Sequence, residues 1–289
     1  MMAPTARGGA EPPDGNGRRP GSSAAVTVPA GLDPGLGGSK AVVFGVGPGI
    51  GLECVRLLGS LGASIACVDL DQTRAREAAE ELVPCQGAGV PVVCDVRESA
   101  GVRRAVGEAV DALGGLDVVL NVVGHGGPAG AVVDMPDEVW SDMLRINLEH
   151  QFLVAREVLR PMIAQRRGSI VLISSVNALG SSPLRAAYGV AKAGLVSLAR
   201  TLAIEAAEYG VRVNTVAPGA TRTPRRRHLA EGELAAMYRE EIPLGRLAEP
   251  HEVARAAMFL ASELSSFITG ETLVVDGGAS VKYCLPAGN

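Results

Sequence analysis

The chain has 289 residues, of which 47% are hydrophobic and 20% charged, and its formal net charge is -4. That length suits one large α/β domain or two small ones, and the mild acidity gives no reason to expect nucleic acid or an anionic membrane surface as a partner. No apolar run approaches the length of a membrane span and no secretory signal is recognised, so we expect a cytoplasmic protein that does not enter a membrane.

Residues 1–38 form a separate compositional zone that is rich in Gly, Pro and Ser. The segment holds almost nothing to bury, so it cannot offset the entropy lost on ordering, and a disordered tail is predicted. Residues 39–289 are predicted to form one domain.

From Lys40 onward, short apolar runs alternate with segments whose apolar residues recur at helical spacing. Strands are predicted at 41–46, 63–71, 90–96, 116–124, 168–175, 211–219 and 270–278. Helices are predicted at 52–62, 73–83, 100–115, 136–165, from the Tyr188 segment to Glu208, and at 251–262. This alternation predicts one parallel, doubly wound α/β sheet with helices on both faces. The arginine-rich segment 221–250 is predicted to be a mobile substrate lid.

Three glycines, Gly45, Gly49 and Gly51, separate the first predicted strand from the first predicted helix. Glycines here permit a tight turn, close approach of the backbone to a phosphate, and close packing of the helix. The N-terminus of that helix offers unpaired N–H groups to a pyrophosphate. The spacing is G-x-x-x-G-x-G, and its place between a buried strand and an amphipathic helix predicts dinucleotide binding.

Asp69 closes the second predicted strand. A carboxylate there can accept both hydroxyls of an adenosine ribose and would repel a 2′-phosphate. No arginine or lysine lies in the glycine loop at 46–48, so NAD is favoured over NADP. The alternative is that Asp69 caps the next helix or faces solvent, and that Asp71 is the relevant carboxylate.

Tyr188 and Lys192 lie four residues apart in a predicted helix, which places both side chains on one face. A phenol has an ordinary pKa of about 10, and a neighbouring ammonium favours the phenolate. The pair is therefore a candidate general acid and base. Taken alone, the same pattern also fits an exposed helix with one aromatic residue and one lysine.

The five cysteines show no C-x-x-C pairing and no histidine at ligand spacing, so no disulfide frame or metal site is predicted.

Further motifs lie at the ends of the predicted strands. In the order of the third, fourth, fifth and sixth strands they are Asp95-Val96, Asn121-Val122-Val123-Gly124, Ser175 in LISS and Pro218-Gly219. Asn147, in RINLEH, lies between the fourth and fifth strands. Together with the glycine loop and the Tyr–Lys pair, these motifs resemble those of the short-chain dehydrogenase/reductase family over about residues 39–280. The resemblance implies a Rossmann-type fold with seven strands in the order 3-2-1-4-5-6-7. The chain departs from the family pattern at Phe44, where a threonine is usual, and at Val122-Val123, where N-N-A-G is usual.

The resemblance implies a catalytic set of four residues. Tyr188 would be the general acid/base, Lys192 would assist it and bind the nicotinamide ribose, and Ser175 would hydrogen-bond the substrate oxygen. Asn147 would hold a water that links Lys192 to solvent. The implied cofactor-binding residues are Gly45, Gly49, Ile50, Gly51, Asp69, Asp95, Val96, Asn121, Gly124, Tyr188, Lys192, Pro218, Gly219, Thr221 and Thr223. The implied reaction is hydride transfer between NAD and a secondary alcohol or ketone, and the implied assembly is a homotetramer or homodimer.

The sequence leaves the substrate open. His125 is interpreted as a solvated loop residue, with a catalytic or substrate-binding role as the alternative. Arg225, Arg226 and Arg227 are interpreted as a solvated charge run, with recruitment of an anionic substrate, such as an acyl group on a carrier, as the alternative. Two other functions stay open. One is an NADPH-dependent 3-oxoacyl-carrier-protein reductase, which Asp69 disfavours. The other is a dinucleotide sensor without turnover, which the intact catalytic set disfavours.

Overall fold

The computed structural model describes residues 33–82, 85, 87–225 and 232–282. The strands are β1 (Lys40–Phe44), β2 (Ser64–Asp69), β3 (Gly89–Val93), β4 (Val118–Asn121), β5 (Gly168–Ile173), β6 (Val211–Pro218) and β7 (Thr272–Val275). The α-helices are α1 (Ile50–Ser60), α2 (Gln72–Glu80), α3 (Ser99–Leu113), α4 (Asp137–Leu144), α5 (His150–Gln165), α6 (Ala186–Ala207), α7 (Gly232–Glu241) and α8 (Pro250–Ala261).

One parallel sheet contains all seven of these strands, in the order β3-β2-β1-β4-β5-β6-β7. The predicted fold class and strand order are therefore confirmed. Residues 41–44 of β1 are fully buried, which explains why the central strands appear in the sequence as continuous apolar runs. The chain winds outward in opposite directions from β1 and β4, so the crevice at their carboxyl ends is the place where such sheets bind ligands.

Helices cover both faces of the sheet. On one face α3, α5 and α6 bury residues such as Val102, Val158 and Leu195 against the strands. On the other face, α1 and α8 bury residues such as Leu58 and Met258 against the strands. Burial of each large aliphatic side chain contributes about 1.5–3 kcal/mol, so the two cores hold the strand ends in fixed relative positions.

The single helix predicted over 136–165 is two helices, α4 and α5, joined by a π-type turn at Arg145–Glu149. A π turn bonds each N–H to the carbonyl five residues earlier and so inserts one extra residue into the helix. Asn147 lies in the middle of this turn and is fully buried. No glycine or proline lies between residues 137 and 160, so no helix-breaking residue marks the turn in the sequence.

Of the predicted tail, the structure describes only residues 33–38, and residues 1–32 lie outside the described part. Within it, Leu36 is buried in the core on the α1 and α8 face. The N–H of Gly38 donates to the carbonyl of Gly62 at 3.0 Å. The predicted lid is described at 221–225 and 232–250 and contains α7; Arg226 and Arg227 lie outside the described residues. None of the described helices combines the length and the apolar character that a bilayer crossing requires.

Candidate active site

The glycine loop between β1 and α1 has a backbone that only glycine accommodates well. Gly45 and Gly49 have φ values of +83° and +131°, which residues with a side chain rarely adopt. A Cβ on Gly51 would lie 1.8 Å from the carbonyl oxygen of Gly45. Among the described residues no side chain caps the N-terminus of α1, so its first N–H groups are available to a ligand. This cradle fits the pyrophosphate of a dinucleotide.

Residues that follow β4 and β6 pack against the same loop. A Cβ on Gly45 would lie 2.9 Å from Cγ2 of Val123, and a Cβ on Gly49 would lie 3.6 Å from Cγ2 of Thr223. Val123 belongs to the second departure from the family pattern, Val122-Val123, and its methyl group occupies the space beside Gly45. The predicted cofactor residues Gly45, Gly49 and Thr223 are therefore brought together.

The residues predicted to cover the nicotinamide lie at the end of β6 and just after it. Pro218 is the last residue of that strand, and Gly219 follows it with its N–H donating to the Val275 carbonyl at 2.9 Å. Thr221 is buried, and its hydroxyl donates to the Gly219 carbonyl at 3.3 Å. These contacts fix the backbone that leads to Thr223.

The carboxylate of Asp69 lies at the end of β2, as predicted, with its side chain 10% exposed. Its Oδ1 accepts a hydrogen bond from the Asp71 N–H at 3.0 Å. Asp71, and not Asp69, caps α2, because its side chain accepts the N–H groups of Thr73 and Arg74. Asp69 thus keeps its second oxygen available at the edge of the sheet that carries the glycine loop.

Arg74 is a residue near the cofactor loop that the sequence analysis missed. Its Nη1 lies 4.0 Å from Oδ1 of Asp69, and its Nε lies 3.7 Å from Oδ2 of Asp71. A Cβ on Gly47 would lie 3.4 Å from Cδ of Arg74. The glycine loop contains no cation of its own, but α2 brings this one against it. The only sequence signal was the position of Arg74 in the first turn of the helix that Asp71 caps.

The residues predicted to line the adenine and the groove follow β3 and end β4. Asp95 forms an ion pair with Arg97 at 2.6 Å, and the hydrogen bond from Arg97 lowers the pKa of Asp95. Val96 is buried beside it. Oδ1 of the buried Asn121 accepts the N–H of Val123 at 3.2 Å. All three predicted residues lie at the same edge of the sheet as Asp69.

Lys192 is buried in α6, and its Nζ donates to the Ile173 carbonyl at the end of β5 at 2.8 Å. Burial lowers the pKa of Lys192 to about 7, because desolvation disfavours the ammonium. Nζ lies 5.8 Å from the ring centroid of Tyr188, which is half-buried one helical turn earlier. The predicted pair therefore lies on one face of α6, with the lysine on the inner side.

Asn147 and Lys192 meet at Gly124. A Cβ on Gly124 would lie 2.8 Å from Oδ1 of Asn147 and 3.1 Å from Nζ of Lys192. The Asn147 amide donates to the carbonyls of His125 and Met143 at 3.0 and 3.1 Å, and its oxygen accepts the His125 N–H at 3.1 Å. The π turn of Asn147 and the loop after β4 are thus locked together beside the lysine.

Ser175 follows β5 and is buried. Its Oγ accepts the N–H of Asn177 at 3.2 Å, which caps the short 3-10 turn Val176–Ala178. That turn packs on the start of α6, where a Cβ on Gly189, the neighbour of Tyr188, would lie 3.3 Å from the Asn177 carbonyl. Because its oxygen is the acceptor in this bond, the Ser175 hydroxyl remains able to donate to a substrate.

His150 is a second residue that the sequence analysis did not single out. It lies three residues after Asn147, it is fully buried, and neither ring nitrogen has a hydrogen-bond partner among the described residues. Burial, together with the charge of Lys192, lowers the pKa of His150 to about 3, although the carbonyls of Arg145 and Ile146 oppose the shift in part. A neutral imidazole is therefore enclosed beside the candidate catalytic lysine.

Lowering the pH from about 7 to about 5 is expected to remove roughly 2 kcal/mol of stability through His150. The unfolded histidine binds a proton near its ordinary pKa of 6.5, whereas the folded one stays neutral down to about 3. Since the unfolded state binds more protons in this window, stability falls as the pH is lowered. Urea unfolding of the wild type and of His150→Gln at both pH values measures the difference. An equal loss in both proteins would contradict the assignment.

A parallel sheet with a glycine cradle at its switch point and a Tyr–Lys helix at the same edge defines a class, the Rossmann-type dinucleotide-binding oxidoreductases. The model of the family described as Enoyl-(Acyl carrier protein) reductase matches residues 45–280. The curated 3-oxoacyl-[acyl-carrier-protein] reductase FabG of Chlamydia pneumoniae is 35% identical over 247 residues, which cover 86% of this chain and 99% of that protein.

Two solved structures extend the comparison. A short-chain type dehydrogenase/reductase from Mycobacterium ulcerans superimposes with a TM-score of 0.83 and 30% identity, covering 86% of this chain and 92% of that one. A gluconate 5-dehydrogenase from Burkholderia cenocepacia J2315, solved in complex with NADP and tartrate, gives a TM-score of 0.82 and 32% identity, covering 87% and 98%. The chain belongs to the short-chain dehydrogenase/reductase family, as the resemblance predicted, and is an oxidoreductase of that family.

Proposed function

We propose that the protein transfers a hydride between a nicotinamide cofactor and the carbon of a secondary alcohol or ketone, with Tyr188 as general acid and base. The observation that carries the proposal is the cluster at Gly124. The amide oxygen of Asn147 and the ammonium of Lys192 both approach this glycine so closely that a Cβ there would lie 2.8 and 3.1 Å from them. The same face of α6 carries Tyr188.

When bound, the cofactor accepts or supplies the hydride at C4 of its nicotinamide ring. In the oxidative direction the carbinol carbon gives up a hydride, the alcohol oxygen gives its proton to the Tyr188 phenolate, and a ketone remains. In the reductive direction the Tyr188 hydroxyl gives its proton to the carbonyl oxygen as the carbon receives the hydride. Ser175 donates a hydrogen bond to the same oxygen and so stabilises the charge that develops on it.

Lys192 is suited to pass that proton onward. A group whose pKa is about 7 exchanges protons readily at neutral pH. Its Nζ adjoins Asn147, whose amide is fixed by three hydrogen bonds to backbone atoms, so the two side chains keep one relative position. We infer a proton route from Tyr188 through Lys192 toward the Asn147 side of the cleft.

The relatives favour one substrate class over the other candidates. The FabG proteins of Chlamydia pneumoniae and Thermotoga maritima are both named 3-oxoacyl-[acyl-carrier-protein] reductases, and both are 35% identical to this chain. Reduction of a 3-oxoacyl thioester is therefore better supported than oxidation of a simple secondary alcohol. The deciding assay offers acetoacetyl thioesters and a panel of secondary alcohols with each cofactor, and follows the absorbance of the reduced cofactor. Cofactor binding without turnover of any of them would support the sensor and overturn the proposal.

Two residues, Asp69 and Arg74, bear on the choice between NAD and NADP. The Asp69 carboxylate at the end of β2 supports NAD, which remains our first candidate. NADP is the second candidate, favoured by the guanidinium of Arg74 against the glycine loop and by the NADP bound in the gluconate 5-dehydrogenase structure. An arginine that leaves its partly exposed carboxylate partners could bind a 2′-phosphate instead.

Asp69→Ala is expected to raise the Kd for NADH by about 10-fold or more and to lower the Kd for NADPH, because a ribose acceptor and a repulsive charge are both removed. Fluorescence titration with each reduced cofactor measures the change. Arg74→Gln should weaken only NADPH binding. Arg76→Gln, an exposed arginine of the same helix, is the control for the loss of one charge. Unchanged affinities in Asp69→Ala would show that the ribose assignment is wrong.

We propose self-association into a homodimer or homotetramer. Exposed apolar side chains on α5, on α6 and before β7 support it, namely Phe152, Ile204 and Phe267. Sedimentation velocity tests the proposal, and a monomer at micromolar concentration would refute it.

A further inference from the structure

Arg185 is held over the cleft by two backbone carbonyls. It precedes α6 and lies three residues before Tyr188. Its Nη1 donates to the carbonyls of Gly126 and Gly127 at 3.1 and 2.9 Å, which ties the loop after β4 to the start of the Tyr188 helix. Among the residues that the structure describes, no carboxylate forms an ion pair with Arg185, and only Nη1 is engaged. The guanidinium therefore has donors to spare at the cleft.

The residue just before Arg185 carries backbone strain. Leu184 has a φ of +63°, which a branched side chain rarely adopts, and it is exposed. Its carbonyl accepts the N–H of Gly130 at 3.1 Å, so the two loops are joined at this point as well. Residues with a strained backbone cluster at active sites and ligand-binding segments, so the φ of Leu184 indicates that this segment takes part in binding.

His125 supplies a second donor at the same opening. It is exposed, and its Nδ1 accepts the N–H of Gly127 at 3.2 Å, so the proton of the neutral ring lies on Nε2. Partial desolvation lowers the pKa of His125, and the positive charges of Arg225 and Lys192 lower it further. At neutral pH the ring thus offers an uncharged N–H donor.

Positive charges act on the opening of the cleft at His125, although the whole chain has a formal net charge of -4. The two charges that lower the pKa of His125 belong to Arg225 and Lys192, and both are positive. The pKa of Lys192 is itself shifted by desolvation alone. Arg222, by contrast with Arg185, forms an ion pair with Glu249 at 3.0 Å. The unused donors of the Arg185 guanidinium, with the charge of Arg225 acting on the neighbouring His125, favour an anionic ligand at this opening.

We propose that the substrate is an oxo or hydroxy compound with an anionic oxygen group, a carboxylate or a phosphate, which binds to the remaining N–H groups of Arg185 and to Nε2–H of His125. The proposal rests on the hydride-transfer function above and names the class of its substrate. A carboxylate would belong to a small acid, and a phosphate to a carrier such as phosphopantetheine. Either one is matched by the planar donors of a guanidinium.

Matched pairs of substrates test the proposal. The first pair is a 3-oxo acid and its methyl ester, and the second is an acetoacetyl thioester of 4′-phosphopantetheine and that of pantetheine. We expect the wild type to prefer the anionic member of one pair by about 10-fold or more in kcat/KM, because a charge-assisted hydrogen bond is lost in the neutral member. The pair that responds identifies a carboxylate or a phosphate as the group.

Arg185→Gln is expected to lower kcat/KM for the preferred anionic substrate by about 10- to 100-fold while changing that for its neutral partner by less than about threefold. Arg185→Lys keeps the charge without the planar fork and should restore part of the preference. Arg200→Gln, at an exposed position farther along α6, controls for the loss of one charge. The loss should appear in KM more than in kcat.

Two results would overturn the inference. Equal turnover of the charged and neutral members by the wild type would show that no anion is recognised, while hydride transfer itself would stand. An equal loss on both members in Arg185→Gln would show that the arginine only joins the two loops. Absence of turnover with all four compounds and with the panel of secondary alcohols, with both cofactors, would instead remove the proposed function, and this inference with it.

Discussion

Replacement of Tyr188 with phenylalanine is expected to lower kcat by about 1,000-fold, because positioned general acids and bases typically contribute roughly 100- to 10,000-fold. The change removes the hydroxyl that we propose exchanges a proton with the substrate oxygen, and it keeps the aromatic ring. The ring is half-buried with Lys192 Nζ 5.8 Å from its centroid, so its packing should be preserved. Steady-state kinetics on the best substrate of the panel measures the loss.

Tyr209→Phe provides the matched control for this substitution. Tyr209 lies just beyond the other end of α6, where the guanidinium of Arg166 stacks 5.7 Å from its ring centroid. The same chemical change there should leave kcat unaltered. The Kd for the cofactor should change by less than about threefold in both variants. Retention of activity in Tyr188→Phe would remove the phenol from the mechanism, and a parallel loss of cofactor binding would indicate a structural effect.

The strands and the glycine loop were predictable because their causes are local. Residues 41–44 form an unbroken apolar run since they are buried on both faces of the sheet, and the run ends at the first glycine. The positive φ of Gly45 and Gly49 has the same local origin, because only glycine adopts such a backbone without strain. Composition over a few residues therefore specified where the cofactor loop begins and ends.

The features that the sequence did not reveal depend on contacts between distant segments. Arg74 reaches the glycine loop only because β2 lies beside β1, which brings α2 over Gly47. Arg185 binds carbonyls 58 and 59 residues away, a pairing that no local pattern encodes. No glycine or proline marks the π turn at Asn147, so the sequence contains no local signal for it. The residues that adjust specificity are thus harder to predict than those that build the fold.

Gly51→Ala is expected to raise the Kd for the cofactor by about 100-fold and to destabilise the fold by about 3 kcal/mol. The added Cβ would lie 1.8 Å from the Gly45 carbonyl oxygen and within 3.2 Å of the Val46 α-carbon. Both neighbours are backbone atoms, so the loop or the N-terminus of α1 must move. The N–H groups that we propose bind the pyrophosphate then move with it. Cofactor titration and urea unfolding measure the two effects separately.

Gly107→Ala separates this steric effect from the general effect of replacing a glycine in a helix. Gly107 is exposed in α3, and apart from its chain neighbours and the nearby backbone of its own helix, no atom of the described residues lies within 4 Å of the position its Cβ would take. Alanine there should stabilise the protein by up to about 1 kcal/mol, since glycine has the lower helix propensity. The two substitutions are chemically identical. If Gly51→Ala lowers the free energy of unfolding and Gly107→Ala raises it, the loss at Gly51 comes from the contact of the new Cβ with Gly45. If Gly51→Ala bound the cofactor as tightly as the wild type, the loop between β1 and α1 would not be the pyrophosphate cradle.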